Sequence, residues 1–255
     1  MDTETLIFLL SGIMFIGAFG FGYVPLSLEL SSKRLIQFTA VGAGVLIASA
    51  FLVIIPEGME IIEGHEEHAV EPSLLGMAIL GGFALMLVLE IFGLPHAVHH
   101  DEDKDLLGLS ATFGLLVHGA ADGLAVGASV SSSTETGLIV FVAIMLHKGP
   151  AAFGLSSFLQ HIKIEKQKSQ MYLLLFAISS PIMAIATFFI LKDTTLATDE
   201  NIGLALMFSA GTFIYVATVD VLPEVHSHEH GHDSSVKYVI LGMALIFLTT
   251  LIRHH

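Results

Sequence analysis

Apolar residues run along this chain in eight long blocks separated by short polar connections: Leu6–Leu28, Ile36–Glu57, Ser73–Pro95, Gly108–Val130, Gly137–Leu159, Met171–Leu191, Ile202–Glu224 and Tyr238–Ile252. A helix needs roughly 20 mostly apolar residues to cross a bilayer. Each block therefore predicts one spanning helix, and the whole predicts an all-α, polytopic membrane protein forming a single transmembrane domain over residues 1–255. Basic residues set the orientation. Lys33 and Arg34 lie in the first loop, Lys104 in the third, Lys163, Lys166 and Lys168 in the fifth and Lys237 in the seventh, whereas the even loops and the termini hold only Lys192 and Arg253. Odd loops are thus expected on the cytoplasmic side and both termini outside. Lys148 belongs to no loop, because it falls inside the fifth block.

The blocks also repeat. Ala43–Glu57 (AGVLIASAFLVIIPE) aligns without gaps on Ala210–Glu224 (AGTFIYVATVDVLPE), and LGMA recurs at Leu75–Ala78 and Leu241–Ala244. Spans two and three thus match spans seven and eight. Five spans separate the members of each pair, so the repeats, about residues 6–95 and 171–252, run in opposite directions and flank the helices of residues 108–159. Inverted repeats are a signature of secondary transporters, whose sites lie near the midplane.

Composition sharpens the class. The chain is 54% hydrophobic and 13% charged, against about 25% charged in a soluble domain, and its mean hydropathy is +0.80. No charged start followed by a short apolar run and a cleavage site is visible, so no removable signal peptide is expected. Cysteine is absent, which removes disulfides and thiolate ligands. The net charge of −14 and the lack of a basic cluster argue against a nucleic-acid partner. Fourteen histidines are many for a chain of this length.

The chemistry concentrates in spans four and five. His118 and Asp122, four residues apart, project from one helical face, beside a Gly119, Gly123, Gly127 strip that allows a second backbone to approach closely. Span five carries His147 near its middle and Pro150 three residues on, where the missing N–H leaves an acceptor near Leu146 unpaired and predicts a kink. Two imidazoles and a carboxylate at one depth suit Zn2+, with a fourth position left open. The competing arrangement has each histidine hydrogen-bonded to a neighbouring helix and Asp122 paired with Lys148.

These residues carry a resemblance. The HxxxDG of span four, the HKxPA of span five and FIYVATVDVLPE of span seven resemble the ZIP family of divalent-metal transporters. The run FVAIMLHKGPAAFGLSSFL is similar to the branch that in animals includes the Golgi-located ninth ZIP. The resemblance covers nearly the whole chain. It implies eight helices in a 3+2+3 arrangement, zinc movement toward the cytoplasm, and an elevator-like motion of spans one, four, five and six against two, three, seven and eight. It matches His118 and His147 to the family's metal-binding histidines and sets Asp122 where a glutamate is usual. Positions that complete a second metal site in many members are here Gly119, Lys148 and Ala151. One metal is therefore expected, with the Lys148 ammonium replacing a second cation's charge.

Asp220, Glu57, Glu224 and Glu90 remain as pathway or auxiliary candidates, with helix-end hydration as the alternative; for Asp220 the role of guiding metal is implied by the resemblance. HSHEHGHD places His226, His228, His230 and His232 on alternate positions, and HAVHHDED adds His96, His99 and His100. Both tracts are assigned to the cytoplasmic side and suit labile metal binding, against the simpler reading of solvated loops. The leading function is inward transport of Zn2+ across the bilayer. An intramembrane zinc hydrolase and a metal-gated receptor are the alternatives, although no HExxH motif supplies a general base. Imidazole also leaves Fe2+, Mn2+ and Cd2+ open. Short loops suggest a prokaryotic cytoplasmic membrane ahead of an organelle, and a homodimer is compatible with the sequence.

Overall fold

The computed structural model describes residues 2–28, 31–63, 70–93, 104–223 and 233–253. Within them the chain forms eight helices: α1 (Thr3–Ser27), α2 (Ser32–Ser49, continuing through Ala50–Ile54 and Ile55–Glu63), α3 (Pro72–Gly93), α4 (Lys104–Ser132), α5 (Thr134–His161), α6 (Lys166–Leu191), α7 (Asp199–Tyr215, continuing through Val216–Val221) and α8 (Asp233–Arg253). Seven are long and apolar enough to cross a membrane, and α8 carries the shorter apolar stretch Val236–Leu248. All backbone polar groups can be satisfied inside such helices, which is why a chain this apolar adopts them.

Two helices differ in detail from the sequence pattern. The second apolar block closes at Glu57, yet α2 runs on to Glu63 past Pro56. The continuation is made by a π-helical turn at Ala50–Ile54, in which Ile55 N–H donates to Ala50 O. A proline ring clashes with the carbonyl four residues back, and the wider π turn relieves that clash without ending the helix. The same device recurs at Val216–Val221 before Pro223, where Leu222 N–H donates to Ala217 O. These residues are the repeat counterparts of Ile55 and Ala50, so the repeat extends to backbone geometry. Pro150 likewise does not interrupt α5, which is helical throughout Thr134–His161.

Packing pairs α4 with α6 and α5, and α1 with α5 and α6; separately, α2 packs on α8 and α7, and α3 on α7. Among the described residues these groups meet chiefly where α2 packs on α5 and α4 on α7. Small residues make the approaches possible. A Cβ at Gly44 would collide with the Val239 carbonyl of α8, and one at Gly211, its repeat counterpart, with the Ile79 carbonyl of α3. The Gly119, Gly123, Gly127 strip meets α6: a Cβ at Gly123 would run into the Ser180 carbonyl and come 2.8 Å from Met183 Cβ. Gly123→Ala is therefore expected to cost about 1–3 kcal/mol through overpacking, read as a lowered Tm of the purified protein in detergent. An exposed pair, Lys192 Nζ to Glu4 Oε1 at 2.9 Å, ties the end of α6 to the start of α1. Its contribution is small because water screens it.

Candidate metal centre

Among the apolar helices α4 is the most enclosed, with 72% of its apolar window buried against 11% for α3. His118 and Asp122 lie on that helix, and α5 brings His147 and Lys148 to the same place. All four are 1% exposed or less. One ligand atom from each of His118, Asp122 and His147 lies within 4.8 Å of the others. Asp122 Oδ2 is the hub, 3.2 Å from His118 Nε2 and 3.3 Å from His147 Nε2.

The surroundings orient the rings. His147 Nδ1 is 3.1 Å from the Ala143 carbonyl. A carbonyl only accepts, so Nδ1 donates to it and holds the ring with Nε2 toward Asp122 Oδ2. His118 Nε2 makes no hydrogen bond despite its closeness to Asp122. Its other nitrogen, Nδ1, is 3.3 Å from Thr212 Oγ1 and 3.3 Å from Ser209 Oγ, both on α7. Ser209 Oγ donates to the second carboxylate oxygen, Asp122 Oδ1, at 2.7 Å. Phe213 covers the centre, its ring stacked 4.1 Å from the His118 ring centroid and 5.2 Å from that of His147. Outer hydrogen bonds of this kind hold ligating imidazoles and carboxylates in position.

Lys148 stands at the edge. Its Nζ is 4.0 Å from Asp122 Oδ2, donates to Ser180 Oγ on α6, and lies 4.7 Å from the Phe176 ring centroid. Ser180 in turn donates to the Gly119 carbonyl. The lysine is thus held by α6, and Asp122 stays available to other partners. Elements of both sequence readings coexist, since the histidines do reach neighbouring groups while their Nε2 atoms converge.

Glu57 is buried at 1% exposure, within α2 rather than at its end, so helix-end hydration does not describe it. Glu90 falls in α3 and Asp220 in the π turn of α7. Glu224, His96, His99, His100, His226, His228, His230 and His232 lie outside the described residues. Sequence reasoning missed Ser209, Thr212, Phe213, Phe176 and Ser180. A signal for the first two existed: their repeat counterparts are Gly42 and Val45, so the hydroxyls mark where the two copies diverge.

Comparison with known proteins bears on the family of the chain. The model of the family described as ZIP zinc transporter matches residues 94–250. The chain is 38% identical to zinc transporter ZIP9 of Micropogonias undulatus, with 100% of both chains covered. It is 38% identical to zinc transporter ZIP9 of Xenopus tropicalis over 92% of this chain and 90% of that one. Mouse zinc transporter ZIP4 matches at 35% over 46% of this chain and 17% of its own length. These relatives are animal proteins, so they lend no support to the expectation of a prokaryotic membrane. With relatives aligned end to end and the family model covering more than half its length, this integral, multi-pass chain belongs to the ZIP zinc transporter family.

Proposed function

We propose that the protein transports Zn2+ toward the cytoplasm, binding it between His118 Nε2, His147 Nε2 and Asp122 Oδ2 at the buried centre. The observation that carries the reading is the convergence of two imidazole nitrogens and a carboxylate oxygen in a space walled by apolar helices. Such polar groups are costly to bury in an apolar surround, and a divalent cation among them would engage all three at once. Three protein ligands leave a further position through which the ion enters and leaves. Relatives that are transporters favour movement over hydrolysis. The division of helix packing into two groups joined by α2–α5 and α4–α7 supports an alternating, elevator-like displacement of α1, α4, α5 and α6.

One zinc per chain is the expected stoichiometry, because the Lys148 ammonium stands beside Asp122 where a second cation would sit. Zinc and Lys148 repel, which speeds release. Lys148→Met is accordingly expected to tighten zinc binding at least tenfold, since like charges a few ångströms apart interact by a few kcal/mol at an effective dielectric of about 20. Isothermal titration of the purified protein measures both quantities, and a stoichiometry clearly above one overturns the single-site reading. The function itself is tested with proteoliposomes holding a trapped fluorescent zinc chelator. Saturable zinc entry is expected, and competition by Cd2+, Fe2+ or Mn2+ in the same assay measures selectivity. Tight zinc binding without any flux would instead favour a metal-gated receptor.

A further inference from the structure

The hydroxyls of Ser209 and Thr212 each have one hydrogen, and the structure accounts for both. Thr212 Oγ1 donates to the Ser209 carbonyl at 2.7 Å. Ser209 Oγ donates to Asp122 Oδ1 at 2.7 Å. Only lone pairs therefore remain toward His118 Nδ1, 3.3 Å from each oxygen. The ring nitrogen is then the donor, which places a His118 proton on Nδ1 and turns Nε2 toward Asp122 Oδ2. A single turn of α7 thus selects the tautomer of one ligand and fixes the rotamer of another.

The location of that turn matters. His118 and Asp122 lie on α4, which packs with α1's partners α5 and α6, whereas Ser209 and Thr212 lie on α7, which packs with α2 and α3. The two helix groups meet in repeat-equivalent places, but with different chemistry. On α2 the counterpart of Ser209 is Gly42, and a Cβ added there would lie 3.2 Å from Gly154 Cα of α5. One junction is a smooth small-residue contact; the other is hydrogen-bonded to the metal centre.

We infer that Ser209 and Thr212 are positioning residues that make tight zinc binding a property of one arrangement of the two helix groups. Sliding α4 along α7 breaks three hydrogen bonds at once, frees the His118 ring to rotate or change tautomer, and lowers the affinity of the site without touching a ligand. The transported ion is then held firmly in one arrangement and loosely in the other. This inference rests on the transport reading for its purpose, but its physical content concerns binding alone.

The test compares native protein with Thr212→Val, Ser209→Ala, the double variant and the conservative Thr212→Ser. Zinc binding to the purified full chain should weaken about tenfold or more in the double variant, the usual consequence of removing outer partners of metal ligands. Thr212→Ser should stay within about threefold of native. In transport the double variant should raise KM by a similar factor while Vmax holds or rises; general damage to the fold would lower Vmax. Histidine labelled with nitrogen-15, with His118 assigned by its loss in His118→Gln, should show Nδ1–H in the native protein and a tautomer mixture in the double variant. Zinc affinity within twofold of native, or an unchanged His118 tautomer, would overturn the inference. Expected binding effects in a protein that passes no zinc would leave it standing and sink the transport reading instead.

Discussion

Zinc entry into proteoliposomes should fall to the level of empty vesicles when His147 is replaced by alanine. The imidazole supplies one of three convergent ligand atoms, its Nε2 3.3 Å from Asp122 Oδ2. Zinc sites built from four ligands are worth on the order of 10–16 kcal/mol, so losing one ligand costs about 3 kcal/mol or more and weakens binding on the order of a hundredfold. Asp122→Asn should be at least as severe. It keeps the shape but removes the negative charge, leaving zinc facing Lys148 with nothing to offset either cation. Both variants should retain native helix content and elute as the native protein does, since each removes polar atoms and leaves the Gly123 and Gly127 contacts with α6 untouched. Saturable zinc flux in either variant at more than about a tenth of the native rate would remove these residues from the pathway.

Joining Gly42 to Gly154 should stop transport and spare binding. The chain contains no cysteine, so Gly42→Cys with Gly154→Cys creates the only thiol pair. The two backbones approach closely, a Cβ on Gly42 falling 3.2 Å from Gly154 Cα and one on Gly154 3.8 Å from Gly42 Cα. A Cα–Cβ bond adds at most about 1.5 Å, so the two Cα atoms lie under about 5 Å apart, toward the short end of the Cα separations that disulfides span. The bond would tie α2 to α5 and so fix one helix group against the other. Oxidation is expected to cut zinc flux at least tenfold, reduction to restore it, and zinc affinity to change by less than about threefold, because Ser209 and Thr212 remain against His118. Full flux in completely cross-linked protein would exclude relative motion of the two groups at this junction.

The two predictions separate roles that one loss-of-transport result would merge. Substitution of a ligand removes both affinity and flux, whereas the cross-link removes flux alone. The positioning variants form a third case, in which affinity falls while maximal flux is kept. A site that must bind and release the same ion in each cycle needs some means of changing its affinity. Under the proposed motion the contact between α4 and α7 would supply one, since hydrogen bonds across a moving junction exist in only one arrangement.

Much of this protein was legible in the chain itself. Runs of apolar residues specify helices because a bilayer offers backbone groups no other partner, and eight helices appear where eight blocks were read. His118 and Asp122 stand one turn apart by helical geometry alone, and a glycine strip announces a close neighbour without naming it. The repeat, too, was visible, though only the backbone revealed that its prolines are tolerated through matching π turns rather than ending the helices. Tertiary structure decided the rest. Periodicity cannot say which helix meets which, so α6 as the partner of the glycine strip, and Ser180 as the acceptor for Lys148, were not readable. Ser209 and Thr212 are 91 and 94 positions from His118. In sequence they stand out only as hydroxyls where the repeat has Gly42 and Val45, which does not say what they touch. Only the packing of α7 on α4 brings their lone pairs to the histidine and turns three polar side chains into a site with a defined proton.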